Sequence, residues 1–202
     1  MMAGNDSALR KLMEAIVTGD GPAVERLLAA SPVLATARLE KGATRQAAKE
    51  NRLGGIGHYV YAGDTALHVA ATAYRLDIVR RLIAMGSDVR ARNRRGAEPL
   101  HYAADGRPGS PWWDPAAQGA TVACLIDAGS DPNAVDKRGV TPLHRAVRTR
   151  CTGAVRALLE GGADARRRNK NGSTPMLLAT ITFSDAKPLS RFRRATWKRK
   201  RL

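Results

Sequence analysis

Three histidines are the first residues in this chain that suggest chemistry. His68, His101 and His144 each close a short motif: Gly-Asp-Thr-Ala-Leu-His at 63–68, Gly-Ala-Glu-Pro-Leu-His at 96–101 and Gly-Val-Thr-Pro-Leu-His at 139–144. Imidazoles serve as general bases and as metal ligands, but either use needs several groups converging on one point. These stand one to a motif, 33 and 43 residues apart, which puts them in a row along the molecule. His58 lies outside the motif, near Tyr59 and Tyr61, with no evident partner. Cys124 and Cys151 form no CxxC pair, and no histidine stands at ligand spacing from them. Carboxylates are sparse and unpaired. No Gly-rich phosphate loop, HExxH or GxSxG occurs. The sequence makes no case for catalysis, and no catalytic residue, metal or cofactor is expected.

The chemistry that the residues do suggest is that of contact. Lys and Arg number 34 against 18 Asp and Glu, a formal charge of +16. Such an excess attracts nucleic acid, anionic lipid or acidic protein surfaces; a basic proteome or a need for solubility produces it as well. The cations are concentrated. Runs occur at Arg90-Ala91-Arg92-Asn93-Arg94-Arg95, at Asp136-Lys137-Arg138 and at Arg166-Arg167-Arg168-Asn169-Lys170. From Phe183 onward there are eight basic residues and one acid, Asp185. Trp112 and Trp113 sit side by side in Asp105-Gly106-Arg107-Pro108-Gly109-Ser110-Pro111-Trp112-Trp113-Asp114-Pro115, a stretch built of turn formers.

The elements that position these groups follow from a repeat. The motif glycines Gly63, Gly96, Gly139 and Gly172 are spaced 33, 43 and 33 residues apart. A second marker, Val-x-x-Leu-(Leu/Ile)-x-x-Gly, recurs at Val79–Gly86, Val122–Gly129 and Val155–Gly162 with the same 43 and 33 spacing. The period and the Thr-Pro-Leu-His motif resemble ankyrin repeats, of a bacterial type with insertions, and the likeness covers about residues 8–182. It implies an all-α solenoid of stacked helix pairs joined by hairpin loops. It also implies that His68, His101 and His144 are structural, each imidazole tying down neighbouring loop backbone, and that the variable hairpin positions form the edge that contacts partners. On that reading Arg92, Arg94, Arg95, Lys137, Arg138 and Lys170 align into a basic ridge, extended by Arg145 and Arg148 on a first helix.

The residues themselves support helix pairs. Thr141 can cap a helix with Pro142 at its first position. Leu143 and Ala146 share a face, Val155, Leu158 and Leu159 share another, and Gly161-Gly162 ends the second helix. Such pairs bury their apolar faces only by stacking. Cys124 is expected as a small core residue, and Cys151, in a helix–helix turn, as the more exposed thiol. The chain divides into an N-terminal capping helix pair (1–37), an inserted hairpin or arm (38–61), repeats at 62–94, 95–137 (with ten extra residues), 138–170 and in part 171–182, and a basic tail (183–202). In the arm, Ile56, His58 and Val60 alternate with Gly57, Tyr59 and Tyr61 as an extended hairpin would; a tolerated loop is the alternative. The tryptophans suit an interface hot spot, a ring packed back onto the repeats, or one role each. The tail suits a polyanion contact or an altered C-terminal cap.

Asp6, Arg10, Lys11 and Glu14 interrupt any signal-peptide core, no apolar run is long enough to span a membrane, and two lone cysteines fit a reducing compartment. A cytoplasmic, monomeric, non-enzymatic scaffold that binds a protein with an acidic surface is expected. Nucleic acid bound through the ridge and tail is the alternative.

Overall fold

The capping signals set where the helices begin. In the computed structural model, which describes residues 3–44 and 46–184, the Thr65 hydroxyl accepts the backbone N–H of His68, and the Thr141 hydroxyl that of His144. Each histidine returns the bond: its Nδ1 accepts the backbone N–H of the capping residue, at 3.2 Å for Thr65, Glu98 and Thr141 alike. This reciprocal box satisfies two N–H groups that a helix start otherwise leaves unpaired. First helices then run α3 (Ala66–Thr72), α5 (Pro99–Ala103), α7 (Pro142–Arg148) and α9 (Pro175–Ser184). Second helices are α4 (Leu76–Ala84), α6 (Pro115–Asp127) and α8 (Thr152–Glu160). Ahead of them α1 (Ala3–Thr18) packs on α2 (Gly21–Ala30). Arg45 and the tail from 185, including Asp185 and its eight basic residues, lie outside the described residues.

The helices form two rows. First helices stack in the order α1, α3, α5, α7, α9 and second helices in the order α4, α6, α8; short turns join α3 to α4 and α7 to α8, while the longer 104–114 loop joins α5 to α6. Close approach depends on small residues: Ala70, Ala71, Ala103, Ala104 and Ala146 are wholly buried between neighbours. Leu67, Leu100 and Leu143 fill the spaces beside them, continuous with Leu82, Leu125 and Leu158 from the second row. The core is therefore a line of layers, as expected where no pair can bury its own apolar face.

The motif glycine has a double reason to be glycine. Gly63, Gly96 and Gly139 have φ of 86°, 74° and 72°, in the region that L side chains avoid. A Cβ on each would also fall within about 3 Å of the next hairpin, against Asn93, Lys137 and Lys170. The chain turns and meets its neighbour at the same atom.

Among the described residues the only strands are β1 (Arg52–Leu53) and β2 (His58–Tyr59), an antiparallel pair with Arg52 opposite Tyr59. The hairpin suggested by the alternation forms around its glycine-rich turn, but with strands of two residues each and not as an extended arm. A 3-10 turn at Gly54–Ile56 folds the segment short, and Ile56, Val60 and Asn51 are buried against the repeats. The two thiols also exchange their expected places. Cys151 is fully buried and Cys124 only half-buried. The turn before α8 is covered, because the loop that precedes α6 lies over it and brings Gly106 against the Cys151 sulfur. Among the described residues, no helix is long and apolar enough to cross a membrane.

Leu143 is 1% exposed in a unit packed on both sides. Leu143→Ala should cost about 2–5 kcal/mol in denaturant melts. Acid should act through the histidines. Burial pushes His101 down from 6.5 to about 3, helped by the Arg145 guanidinium, and burial also lowers His68 and His144. The native rings resist a proton that the unfolded chain accepts below about 6.5, so this stability is complete above that value and drains as pH falls toward 3. The urea midpoint should drop between pH 7 and pH 4, and His101→Gln, though less stable at pH 7, should show a shallower slope.

Candidate binding surface

The hairpins that join the repeats stack through one recurrent backbone bond. Arg94 N–H donates to the Ala62 carbonyl (2.7 Å), Lys137 N–H to Arg95 (2.9 Å) and Lys170 N–H to Arg138 (3.0 Å). Asx turns hold the tips in shape: Asn93 Oδ1 accepts from Arg95 and Ala97, Asp136 Oδ1 from Arg138 and Val140, and Asn169 Oδ1 from Asn171 and Ser173. The ladder places the basic residues of successive tips next to one another, with Lys137, Arg138, Arg166, Arg167, Arg168 and Lys170 all exposed.

Not every cation assigned to this edge is free. Arg145 does not extend the open ridge as its phase predicts: its side chain is 12% exposed and lies 3.2 Å from Asp136 and 3.8 Å from Asp105. Burial alone would raise Asp136, but N–H bonds from Val140 and Arg138 and the Arg145 charge hold it below the ordinary carboxylate range. The carboxylates read as unpaired are thus brought together around one guanidinium. Arg148, exposed, reaches Asp105 at 3.5 Å. Arg92 pairs at 2.9 Å with Glu98, a carboxyl that burial pushes up against the pull of that same arginine. Arg94 donates to the Ala43 carbonyl, and Arg95 to the Tyr61 hydroxyl. Both guanidiniums lie over the Tyr61 ring, 5.4 and 4.9 Å from its centre.

The tryptophans divide. Trp113 is packed against the core and donates its indole N–H to Gln118 Oε1 (2.9 Å); Gln118, fully buried, donates in turn to the Ala103 carbonyl. Trp112 sits 6.2 Å from the Tyr74 ring and faces a cleft of about 380 Å³. That cleft opens between the β1–β2 hairpin, the hairpin tips of α5 and α7, and the 105–113 loop. Its walls include Tyr59, Tyr61, Arg107 and His58, none of which the repeat pattern marks as a site. His58, without an evident partner in the sequence, packs on Tyr102 at 4.6 Å and bonds to the Tyr59 carbonyl. The one available signal was negative: both wall segments fall where the period is broken.

The motif histidines take no part in the cleft. Each Nε2 bonds to a carbonyl of the following unit: His68 to Ala97, His101 to Val140, His144 to Ser173, at 3.0–3.2 Å. Comparison with known proteins gives two family matches. The family described as ankyrin repeats (3 copies) matches residues 12–110, and the family described as ankyrin repeats (many copies) matches residues 125–179. No curated protein matches the chain. The stretch between the two matches holds Trp112 and Trp113.

Trp113→Ala removes apolar packing and leaves a buried amide oxygen without its donor, so it should cost about 2–4 kcal/mol. Trp112→Ala loses chiefly one ring contact and should cost about 1 kcal/mol. Thermal melts of the two variants check the order. A reversed order would make Trp112 the brace.

Proposed function

The chain belongs to the ankyrin-repeat family, and on that premise we propose that it is a non-enzymatic, cytoplasmic, monomeric scaffold that holds another protein through its hairpin and first-helix surface. Repeats of this kind are usually non-catalytic and typically mediate protein–protein contacts. The observation that carries the reading is the ladder of hairpin bonds. The bonds that stack the repeats also bring Lys137, Arg138 and Lys170 onto adjoining hairpins, with the exposed Arg167 on the same segment as Lys170. Such a row favours a partner with an acidic face and speeds its approach.

Nucleic acid is the second reading, supported by the eight basic residues against one acid from 183 onward. Contacts of that kind go to phosphates and weaken steeply with salt.

Lys137→Glu, Arg167→Glu and Lys170→Glu change side chains that are exposed and make no side-chain bond within the described residues. The folded triple variant, a truncation lacking 185–202 and the wild type should be compared in capture from lysate at two salt concentrations. A specific protein should survive moderate salt, persist on the truncation and be lost from the triple variant. If the folded triple variant captures the same protein undiminished, the ridge is not the contact. If only nucleic acid is captured, and it disappears with the tail, the second reading holds.

A further inference from the structure

The two segments that break the 33-residue period meet in space. Arg107, in the loop before α6, donates to the Gly57 carbonyl at the tip of the β1–β2 hairpin (2.7 Å). Its neighbour Asp105 is held three ways: the Tyr74 hydroxyl donates to its carbonyl (3.2 Å), and its carboxylate faces Arg145 and Arg148. Neither segment alone encloses anything. Together they wall the cleft of about 380 Å³ over the first helices. We propose that this cleft is the specificity site of the scaffold, a receptor for the side-chain carboxylates of an extended acidic segment of the partner. The proposal rests on the protein-binding reading above.

Three features choose this occupant. The first is charge. Five guanidiniums line the cleft (Arg95, Arg107, Arg138, Arg145 and Arg148) against two carboxylates, Asp105 and Asp136. Both carboxylates are already engaged by Arg145, and Asp136 also by two backbone N–H groups. The surplus is positive. Arg138 has no side-chain partner within the described residues, and Arg148 is exposed beyond its long contact with Asp105. Guanidinium forks of this kind take carboxylates bidentately.

The second feature is size. The space exceeds what a lone ion fills and is far smaller than a folded domain; it suits a few side chains of an extended strand. The third is the state of the rings. Single-stranded nucleic acid needs free aromatic faces on which bases stack. Here Trp112 lies against Tyr74, Tyr61 lies beneath Arg94 and Arg95, and His58 packs on Tyr102. Each of these rings thus has one face already taken, and of the rings that line the cleft Tyr59, at 37%, is the most exposed.

The probe is a fluorescein-labelled hexaglutamate peptide, titrated by polarisation with the full chain at low salt. Two double variants each remove two positive charges: Arg138→Ala with Arg148→Ala in the cleft, and Lys137→Ala with Lys170→Ala on the ridge outside it. The long-range field falls about equally in both, so a difference between them reports local contact. The cleft pair should weaken binding of this short peptide about tenfold or more, as expected for lost charge-assisted bonds; the ridge pair, whose role is to meet the face of a whole partner and not a hexapeptide seated in the cleft, should weaken it less than about threefold. A hexathymidylate competitor should displace the peptide poorly. Equal weakening by the two pairs overturns the cleft while leaving the broader basic-surface reading intact. Efficient displacement by the oligonucleotide overturns the choice of occupant. No measurable binding to the wild type, or no weakening in either variant, overturns the cleft and the acidic-partner reading together.

Discussion

One neutral imidazole per repeat bonds in two directions, and the stacking depends on it. The Nδ1 atoms of His68, His101 and His144 accept the N–H that opens their own helix, while the Nε2 atoms serve a carbonyl of the next unit. An accepting Nδ1 requires the proton on Nε2, so the pattern of bonds fixes the tautomer. A doubly protonated ring would give up the cap, and an apolar residue would strand a buried carbonyl. With the rings in place, each helix start sits at a set distance from the next. The motif glycine can then be no larger, because the adjoining hairpin already occupies the space of its Cβ.

On this regular frame one unit carries an irregular addition. Asp64, wholly buried, accepts from the Tyr61 N–H, from the Tyr102 hydroxyl and from Asn93. Tyr102 is thereby fixed in α5, and its ring meets both His58, tilted, and His68, edge-on. The β1–β2 hairpin is seated by a contact with the core network, and its Gly57 carbonyl is what Arg107 finds. The cleft thus leans on a buried hydrogen-bond network in which Asp64 and Tyr102 join the recurrent hairpin residue Asn93.

The difference between what the sequence revealed and what it hid follows from the range of the interactions. Caps, turn glycines and the leucine–alanine faces act within one repeat and recur, so Thr141, Gly162 and Leu143 could be read directly. The cleft joins residues about fifty apart, Gly57 and Arg107, through a side chain that has no phase in the repeat. Arg145 was misplaced for the same reason. Its phase put it on the open edge, but Asp105, which helps to draw it inward, comes from the segment outside the period. The cysteines reversed because the covering of Cys151 is again supplied by that segment.

The arginines show how one charge serves two ends. Arg10, Arg75, Arg90, Arg94 and Arg107 donate to backbone carbonyls of distant segments, and so act first as struts between them, while Arg168 donates within its own hairpin. A guanidinium that donates to a neutral carbonyl still keeps its full charge. Its directional bonding is partly used, while its contribution to the field remains. The field around the repeats is therefore set by every cation present, whereas close contacts can be made only by those with donors left over, such as Lys137, Arg138, Arg167 and Lys170. Steering toward an acidic surface and recognition of a particular one are then separable properties, the first tolerant of single substitutions and the second concentrated in a few side chains at the hairpin tips and the cleft rim.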